Sequence, residues 1–141
     1  MHIAFALFAD AANLSQEGKL NILGVFDALH VGQLPVVHPR AALVLLLKGD
    51  GADVGDHQVG LSWRNPNGDE LWSSQASMHV GPPSPGVFEL DLPLLAQVDL
   101  PVDQPGSYAM EVSIDGRHVF DVPMQVRSAI PRMTGSGGLV S

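Results

Sequence analysis

"YAMEVSIDGRHVFDVPMQV", residues 108–126, alternates apolar and polar residues on both sides of an Asp-Gly pair. Apolar side chains that recur at every second position are typical of a β-strand with one buried face. Asp115-Gly116 favours a type I′ turn, because this turn needs a positive φ at both central residues. The stretch therefore predicts a β-hairpin. Pro123 cannot donate a ladder hydrogen bond, so we expect the final strand to lie at a sheet edge or at a bulge.

Short apolar stretches of the same kind fill the rest of the chain, separated by turns that use many of its 15 Gly and 11 Pro. No segment keeps apolar residues at helical spacing for three turns. Six further strands are predicted, at residues 3–8, 19–29, 41–47, 57–64, 70–80 and 88–92, and residues 95–100 fit either a strand or a turn. A single sheet would leave one apolar face in water, so two sheets are expected to pack face to face. We predict an all-β, immunoglobulin-like two-sheet β-sandwich of about eight strands.

Residues 3–8 and 41–47 are apolar at almost every position. A strand with one solvent-exposed face needs apolar residues only at alternate positions, whereas continuous apolar runs are typical of strands covered on both faces. Some of this surface is therefore a candidate for burial by another subunit. The pattern favours a protein partner or self-association, either as a homo-oligomer or as a subunit of a larger assembly.

The composition limits the class of protein. A chain of 141 residues suits one domain, which we place at residues 1–126, followed by a Gly/Ser-containing C-terminal tail at residues 127–141. The net charge of −8, with only seven Lys plus Arg, argues against a nucleic-acid partner. Cysteine is absent from the sequence, which excludes thiol chemistry and disulfide frameworks.

The N-terminal "MHIAFALFADAA" shares an apolar run with secretory signals, but no cationic segment precedes that run. The longest later apolar run, residues 41–47, is far shorter than the ~20 residues that span a bilayer. We therefore expect a cytoplasmic protein with no membrane partner.

"DQPGSYAMEVSIDG", residues 103–116, resembles the penultimate strand of immunoglobulin-like domains. In those domains a Tyr ties down the corner that precedes the strand. The resemblance implies that Tyr108 is this corner residue and that Met110 stands where an antibody domain has a cysteine. Asp103 lies one residue further from the Tyr than usual.

"FALFADAANLSQEGKLNILGVFD", residues 5–27, resembles a family of short, uncharacterised bacterial proteins. They share this strand, polar hairpin and second strand, a proline-containing loop and the late "PGSYAMEV" strand. The resemblance spans residues 3–126 and implies a bacterial origin. It implies no activity, cofactor or catalytic residue.

Residues that could carry catalysis or hold a metal lack the usual spacing. Six His are scattered along the chain, and the best local metal site would combine His57 with Asp53 and Asp56. The loop "GDGADVGD", residues 49–56, has oxygen ligands but lacks the register of a calcium-binding EF-hand. No nucleophile motif surrounds Ser62, Ser73 or Ser77. We expect no enzyme activity, no cofactor and no metal.

"NLSQEGKLN", residues 13–21, is either the turn between the first two strands or a recognition loop. Gly18 supplies the positive φ of a tight turn, and the turn is the favoured interpretation. The further polar residues make Asn13, Glu17 and Lys19 candidates for partner binding. In the tail, the apolar residues are candidates for docking on a neighbouring chain or on the body of the domain: Ile130, Met133, Leu139 and Val140.

Two roles are compatible with these observations. The first is a non-catalytic interaction or assembly module that acts through sheet edges or outer faces. The alternative is a small-ligand or carbohydrate-binding sandwich that uses Trp63 and Trp72, which flank the "NPNG" turn at residues 65–68. Exposed rings would form a stacking platform, whereas buried rings would be core anchors. Burial is favoured, because both Trp alternate in phase with the aliphatic residues of their strands.

Overall fold

A computed structural model describes residues 1–128 and shows nine β-strands and one short 3-10 helix, Gly51–Asp53, within them. The strands are β1 (His2–Leu14), β2 (Leu20–Phe26), β3 (Ala28–Val31), β4 (Val36–Gly49), β5 (Gly55–Arg64), β6 (Glu70–Val80), β7 (Leu90–Val102), β8 (Gly106–Ile114) and β9 (Arg117–Ser128). The all-β prediction is confirmed. Over the same range, no helix has the length and apolar character needed to cross a membrane.

The strands form two sheets, with the strand orders β2-β1-β4-β7 and β3-β9-β8-β5-β6. Neighbouring strands are antiparallel except β3 and β9, which are parallel. β1 contacts β9 across the gap between the sheets. The two-sheet sandwich is therefore confirmed, with four strands on one side and five on the other.

The ninth strand arises because the predicted strand at residues 19–29 is two strands. After Phe26 the chain leaves the four-stranded sheet, and β3 joins the edge of the five-stranded sheet. At this crossing the Gln125 N–H donates to the Asp27 carbonyl at 2.9 Å. Residues on both sides of Asp27 are rich in apolar side chains, so the sequence pattern does not mark the change of sheet.

The core lies between the sheets and takes alternate residues from the strands. Leu43, Leu45 and Leu47 of β4 are fully buried, and so is Trp63 of β5. The Trp63 ring stacks on Tyr108 with a centroid distance of 5.3 Å. A buried Trp on a strand that pairs with the tyrosine-bearing strand is an immunoglobulin-like arrangement.

Tyr108 ties down the turn that precedes β8. Its hydroxyl accepts hydrogen bonds from the backbone N–H groups of Asp103 and Gln104, both at 3.0 Å, and donates to Asp103 Oδ1 at 2.7 Å. Asn65, which is 5% exposed, donates from Nδ2 to Asp103 Oδ2 at 2.9 Å. This is the tyrosine corner that the sequence predicts.

The prediction of an edge or bulge at Pro123 needs correction. β9 lies between β3 and β8, so it is not an edge strand. However, β3 pairs only with residues 125–128 of β9. Pro123 lies before that pairing begins, where its missing N–H costs no ladder bond. The irregularity in the β8–β9 pairing lies elsewhere, beside Val112 and Ser113.

Candidate functional site

The face of the four-stranded sheet that points away from the core is apolar. Leu43 and Leu45 of β4 belong to the core, so Ala42, Val44 and Leu46 between and beside them point the opposite way. The pairing register places residues of β1, β2 and β7 beside them on the same face. We call these residues the outer face: Phe5, Leu7, Ala9, Leu23, Val25, Ala42, Val44, Leu46 and Leu95.

Exposure within the outer face is uneven. Leu23 and Val25 of the edge strand β2 are 71% and 61% exposed. Ala9 and Val44, in the middle of the sheet, are fully buried although they lie outside the core cluster. Residues 3–8 and 41–47 are apolar at nearly every position because these strands have one face in the core and the other in the apolar outer face.

Polar pairs border the outer face at two ends. Asn13 and Asn21 are opposite each other on β1 and β2, and the Asn21 amide donates to Asn13 Oδ1 at 2.9 Å. At the other end, Lys48 of β4 forms an ion pair with Asp91 of β7. An apolar centre with a polar rim is the usual anatomy of a protein–protein interface.

The segment "NLSQEGKLN" is a hydrogen-bonded turn. Ser15 N–H donates to the Lys19 carbonyl at 2.8 Å, and Gly18 N–H donates to the Ser15 carbonyl at 3.0 Å. Gly18 has a φ of +82°, which favours glycine. Asn13 and Asn21 bond each other across the hairpin, so these two amides have a structural role.

The predicted partner-binding residues fall into two groups. Glu17 and Lys19 are exposed at the tip of the hairpin, 3.4 Å apart, and an ion pair of this kind adds little stability. Their role in binding, like that of Asn13, stays a prediction. Ile130, Met133, Leu139 and Val140 lie outside the described residues.

A second surface is a cleft between β6 and β7, the edge strands on one side of the sandwich. Ser74 and Ala76 of β6 are paired with Leu61 and Val59 of β5, so they share the inward face of the sheet. Both are small and exposed. The cleft has a volume of about 600 Å³, and its lining includes Leu94 of β7. We call this the edge cleft.

Both Trp side chains connect the sheets at one end of the edge cleft. Trp72 of β6 donates from Nε1 to the Asp99 carbonyl of β7, and Trp63 of β5 donates to the Pro101 carbonyl, each at 2.9 Å. Trp63 is 0% exposed. The two rings therefore do not form the exposed stacking platform that a carbohydrate site would need, and the interpretation of Trp63 as a core anchor is confirmed.

His57 does not join Asp53 and Asp56 in a metal-binding cluster. Its Nδ1 is 2.7 Å from Asp115 Oδ2, and its Nε2 is 2.6 Å from the Asp53 carbonyl oxygen. Asp56 instead contacts His79 at 2.7 Å. The hydrogen bond to Asp115 raises the pKa of His57 above its usual value. Within residues 1–128, no group of three or more His, Cys, Asp or Glu is placed to hold a metal ion.

The Gly-Asp loop before β5 uses its carboxylates locally. Asp50 Oδ1 accepts the Ala52 N–H at 2.8 Å, and Asp53 Oδ2 accepts the Asp50 N–H at 2.9 Å. This reciprocal pattern is a capping box around the short 3-10 helix. The bond from the Asp50 backbone lowers the pKa of Asp53. These contacts explain the Asp residues of the loop without a calcium ion.

Sequence reasoning did not find the edge cleft. The available signal was the small inward residues of β6, Ser74 and Ala76, between the large residues Trp72 and Met78. A second signal was the pair of prolines, Pro93 and Pro101, eight residues apart in one strand. Neither signal shows a cleft without the order of strands in both sheets.

The two sheets, the tyrosine corner and the buried Trp define an immunoglobulin-like β-sandwich with an apolar outer face and an edge cleft. The chain belongs to the DUF6941 family, a family of unknown function, which matches residues 4–127. The family resemblance of the N-terminal motif is consistent with this assignment. No curated protein matches the chain.

Proposed function

We propose that this protein is a non-catalytic interaction module that assembles with itself or with a protein partner through the outer face. The observation that carries the proposal is the second apolar surface on β1, β2, β4 and β7, on the side opposite the core. A single folded domain does not need this surface for its own core. Burying its exposed part, above all Leu23 and Val25, against another subunit would remove apolar area from water.

The charge distribution supports the same role. The chain carries a net charge of −8, but the outer face is composed of uncharged residues. Two copies, or one copy and a partner, can therefore approach through this face with little like-charge repulsion. Four strands spaced about 4.8 Å apart and four rows of side chains spaced about 6.8 Å apart give a footprint of roughly 500 Å². That footprint is in the range of one side of a weak or transient interface.

A second candidate function is the binding of a small apolar ligand in the edge cleft. Its volume of about 600 Å³ falls within the usual range of ligand pockets. Trp72 lines it, and its indole N–H is already bonded to Asp99. A ligand here would be held by apolar contacts and not by ring stacking with two tryptophans.

Replacing Val25 by Glu tests the main proposal. Val25 is 61% exposed, so the isolated domain tolerates the change, whereas an interface would have to bury an unpaired charge. We expect association to weaken about tenfold or more. Light scattering at tens of micromolar should show an assembly heavier than the 14.9 kDa chain for the wild type and a lighter species for V25E.

Val54→Glu is the matched control, because Val54 is 44% exposed and lies between the 3-10 helix and β5, outside the four-stranded sheet that carries the outer face. This variant should associate like the wild type. A partner other than a second copy would appear in an affinity pull-down that V54E retains and V25E loses. The proposal is wrong if the wild type stays monomeric and V25E captures the same proteins as the wild type.

A further inference from the structure

We propose that the edge cleft accepts an extended peptide segment of a partner protein, which adds to the free edge of β7 as a fifth strand. This site adjoins the outer face at Leu95 of β7, but the proposal does not depend on the assembly proposed above. The edge cleft is a second interaction surface with a different kind of occupant.

The strand orders leave a place for such a strand. The four-stranded sheet ends at β7, whereas the five-stranded sheet ends at β6. β1 faces β9 across the core. When the two strand orders are aligned at this pair, β4 lies opposite β8 and β7 lies opposite β5. The inward face of β6 then has no strand opposite it among residues 1–128. Ser74 and Ala76 are exposed for this reason, and the space above them is the edge cleft.

The free edge of β7 has backbone groups to offer. Pro93 is paired with Leu46 of β4 and has no N–H, so this pair cannot be hydrogen-bonded. Residues two and four positions later, Leu95 and Gln97, therefore also direct their N–H and C=O groups away from β4. No strand among residues 1–128 pairs with this edge of β7, so those groups are available to a new strand, as in other cases of strand addition.

The stretch of the β7 edge that a new strand could use, residues 93–101, is limited at both ends. Pro93 and Pro101 lack a donor at each end, and the Asp99 carbonyl already accepts the Trp72 indole N–H at 2.9 Å. The carbonyls and N–H groups of Leu95 and Gln97 and the N–H of Asp99 remain. A segment of about seven residues would span this window at the rise of an extended strand.

The lining indicates the chemistry of the segment. Inward side chains of a fifth strand would enter a space walled by Val59, Leu61, Leu94, Ala96 and Val98, so every second residue should be apolar. Among the lining residues that the structure describes, Asp99 alone is charged, and the chain carries a net charge of −8. A cationic residue at the end of the segment is therefore expected by charge complementarity.

A fluorescein-labelled peptide, Lys-Val-Thr-Val-Thr-Val-Thr-Lys, is the probe, and binding to the full chain is measured by fluorescence anisotropy. Two control peptides carry N-methyl groups, one on every Val and the other on every Thr. Strand pairing uses the N–H groups on one side of the peptide only. We therefore expect one methylated peptide to lose binding and the other to keep it.

Variants of the protein separate strand addition from binding of a small apolar molecule. Gln97→Pro removes an edge N–H and leaves the apolar walls, so the peptide should bind about fivefold or more weakly, while anilinonaphthalene sulfonate binds as before. Ala76→Trp fills the cleft and should block both probes. Ser77→Trp, on the opposite face of β6, should affect neither.

The proposal is overturned if the peptide fails to bind, if both methylated peptides bind equally, or if Q97P binds the peptide like the wild type. Binding of anilinonaphthalene sulfonate alone, blocked by A76W, would show a small-ligand site instead. V25E should bind the peptide like the wild type, so this proposal and that of the outer face can fail separately.

Discussion

Tyr108 and Asp103 show how two side chains stabilise a turn between the sheets. The Tyr108 hydroxyl satisfies two backbone N–H groups of the turn and donates to the Asp103 carboxylate. That hydrogen bond, followed by the one from Asn65, lowers the pKa of Asp103. Burial raises the pKa of Tyr108. The corner therefore contains a neutral phenol and an ionised carboxylate at neutral pH.

Tyr108→Phe should destabilise the domain by about 1–3 kcal/mol, because it removes the acceptor of two backbone N–H groups. The lowered pKa of Asp103 means that its ionised form stabilises the fold above the unfolded pKa of about 3.9 and that this contribution is lost as the pH falls through the folded pKa. The cost of Y108F should therefore be smaller at pH 3 than at pH 7. Urea unfolding at both pH values measures the difference, and an equal cost at both would contradict this account.

At the scale of single elements, the β1–β2 hairpin shows why polar residues interrupt an apolar sequence. The turn needs a positive φ at Gly18, and the amides of Asn13 and Asn21 bond each other across the ladder. The sequence identified the turn correctly through Gly18. It could not distinguish structural amides from binding residues, because the pairing of Asn13 with Asn21 depends on the register of the strands.

Gly18→Ala should destabilise the domain by about 1 kcal/mol, because a Cβ disfavours a φ of +82°. No atom lies within 4 Å of the added Cβ, so the cost is conformational and not steric. Gly32→Ala is the control, because a Cβ added at Gly32 also has no atom within 4 Å and the φ of Gly32 is not positive. Chemical denaturation should show a clear loss for G18A only, and equal losses would contradict the role of the turn.

At the scale of the whole molecule, contacts between side chains join distant parts of the chain. His57 of β5 contacts Asp115 in the β8–β9 turn at 2.7 Å, and Asp115 Oδ1 also accepts the Gln58 N–H at 2.9 Å. The pKa of His57 is raised chiefly by the hydrogen bond to Asp115, and that of His118 by its hydrogen bond to Asp121.

Both raised pKa values make stability depend on pH in the same direction. The contribution of each His is fully present below the unfolded pKa of about 6.5 and is lost as the pH rises through the folded pKa. The free energy of unfolding should therefore fall as the pH rises above about 6.5. His57→Gln should reduce this slope and H57Q/H118Q should remove most of it, as measured by urea unfolding between pH 6 and pH 9.

His79→Gln is the control for the His substitutions, because His79 is exposed on β6 and its ion-pair partner Asp56 is exposed as well. The slope should persist in this variant. A wild-type protein whose stability does not change over this range, or an H57Q/H118Q variant that keeps the full slope, would rule out the effect.

Local pattern alone determined that the chain is a β-sandwich, because alternation at every second residue and turn residues such as Asp115-Gly116 are set by neighbours in sequence. The tyrosine corner followed from a short motif for the same reason. Tertiary structure alone decided that residues 19–29 divide between two sheets at Asp27. It also decided that Val44 faces away from the core and that β6 extends beyond β7. These outcomes depend on which strands lie side by side and on which sheet is wider, and strand order is set by contacts between residues far apart in the chain.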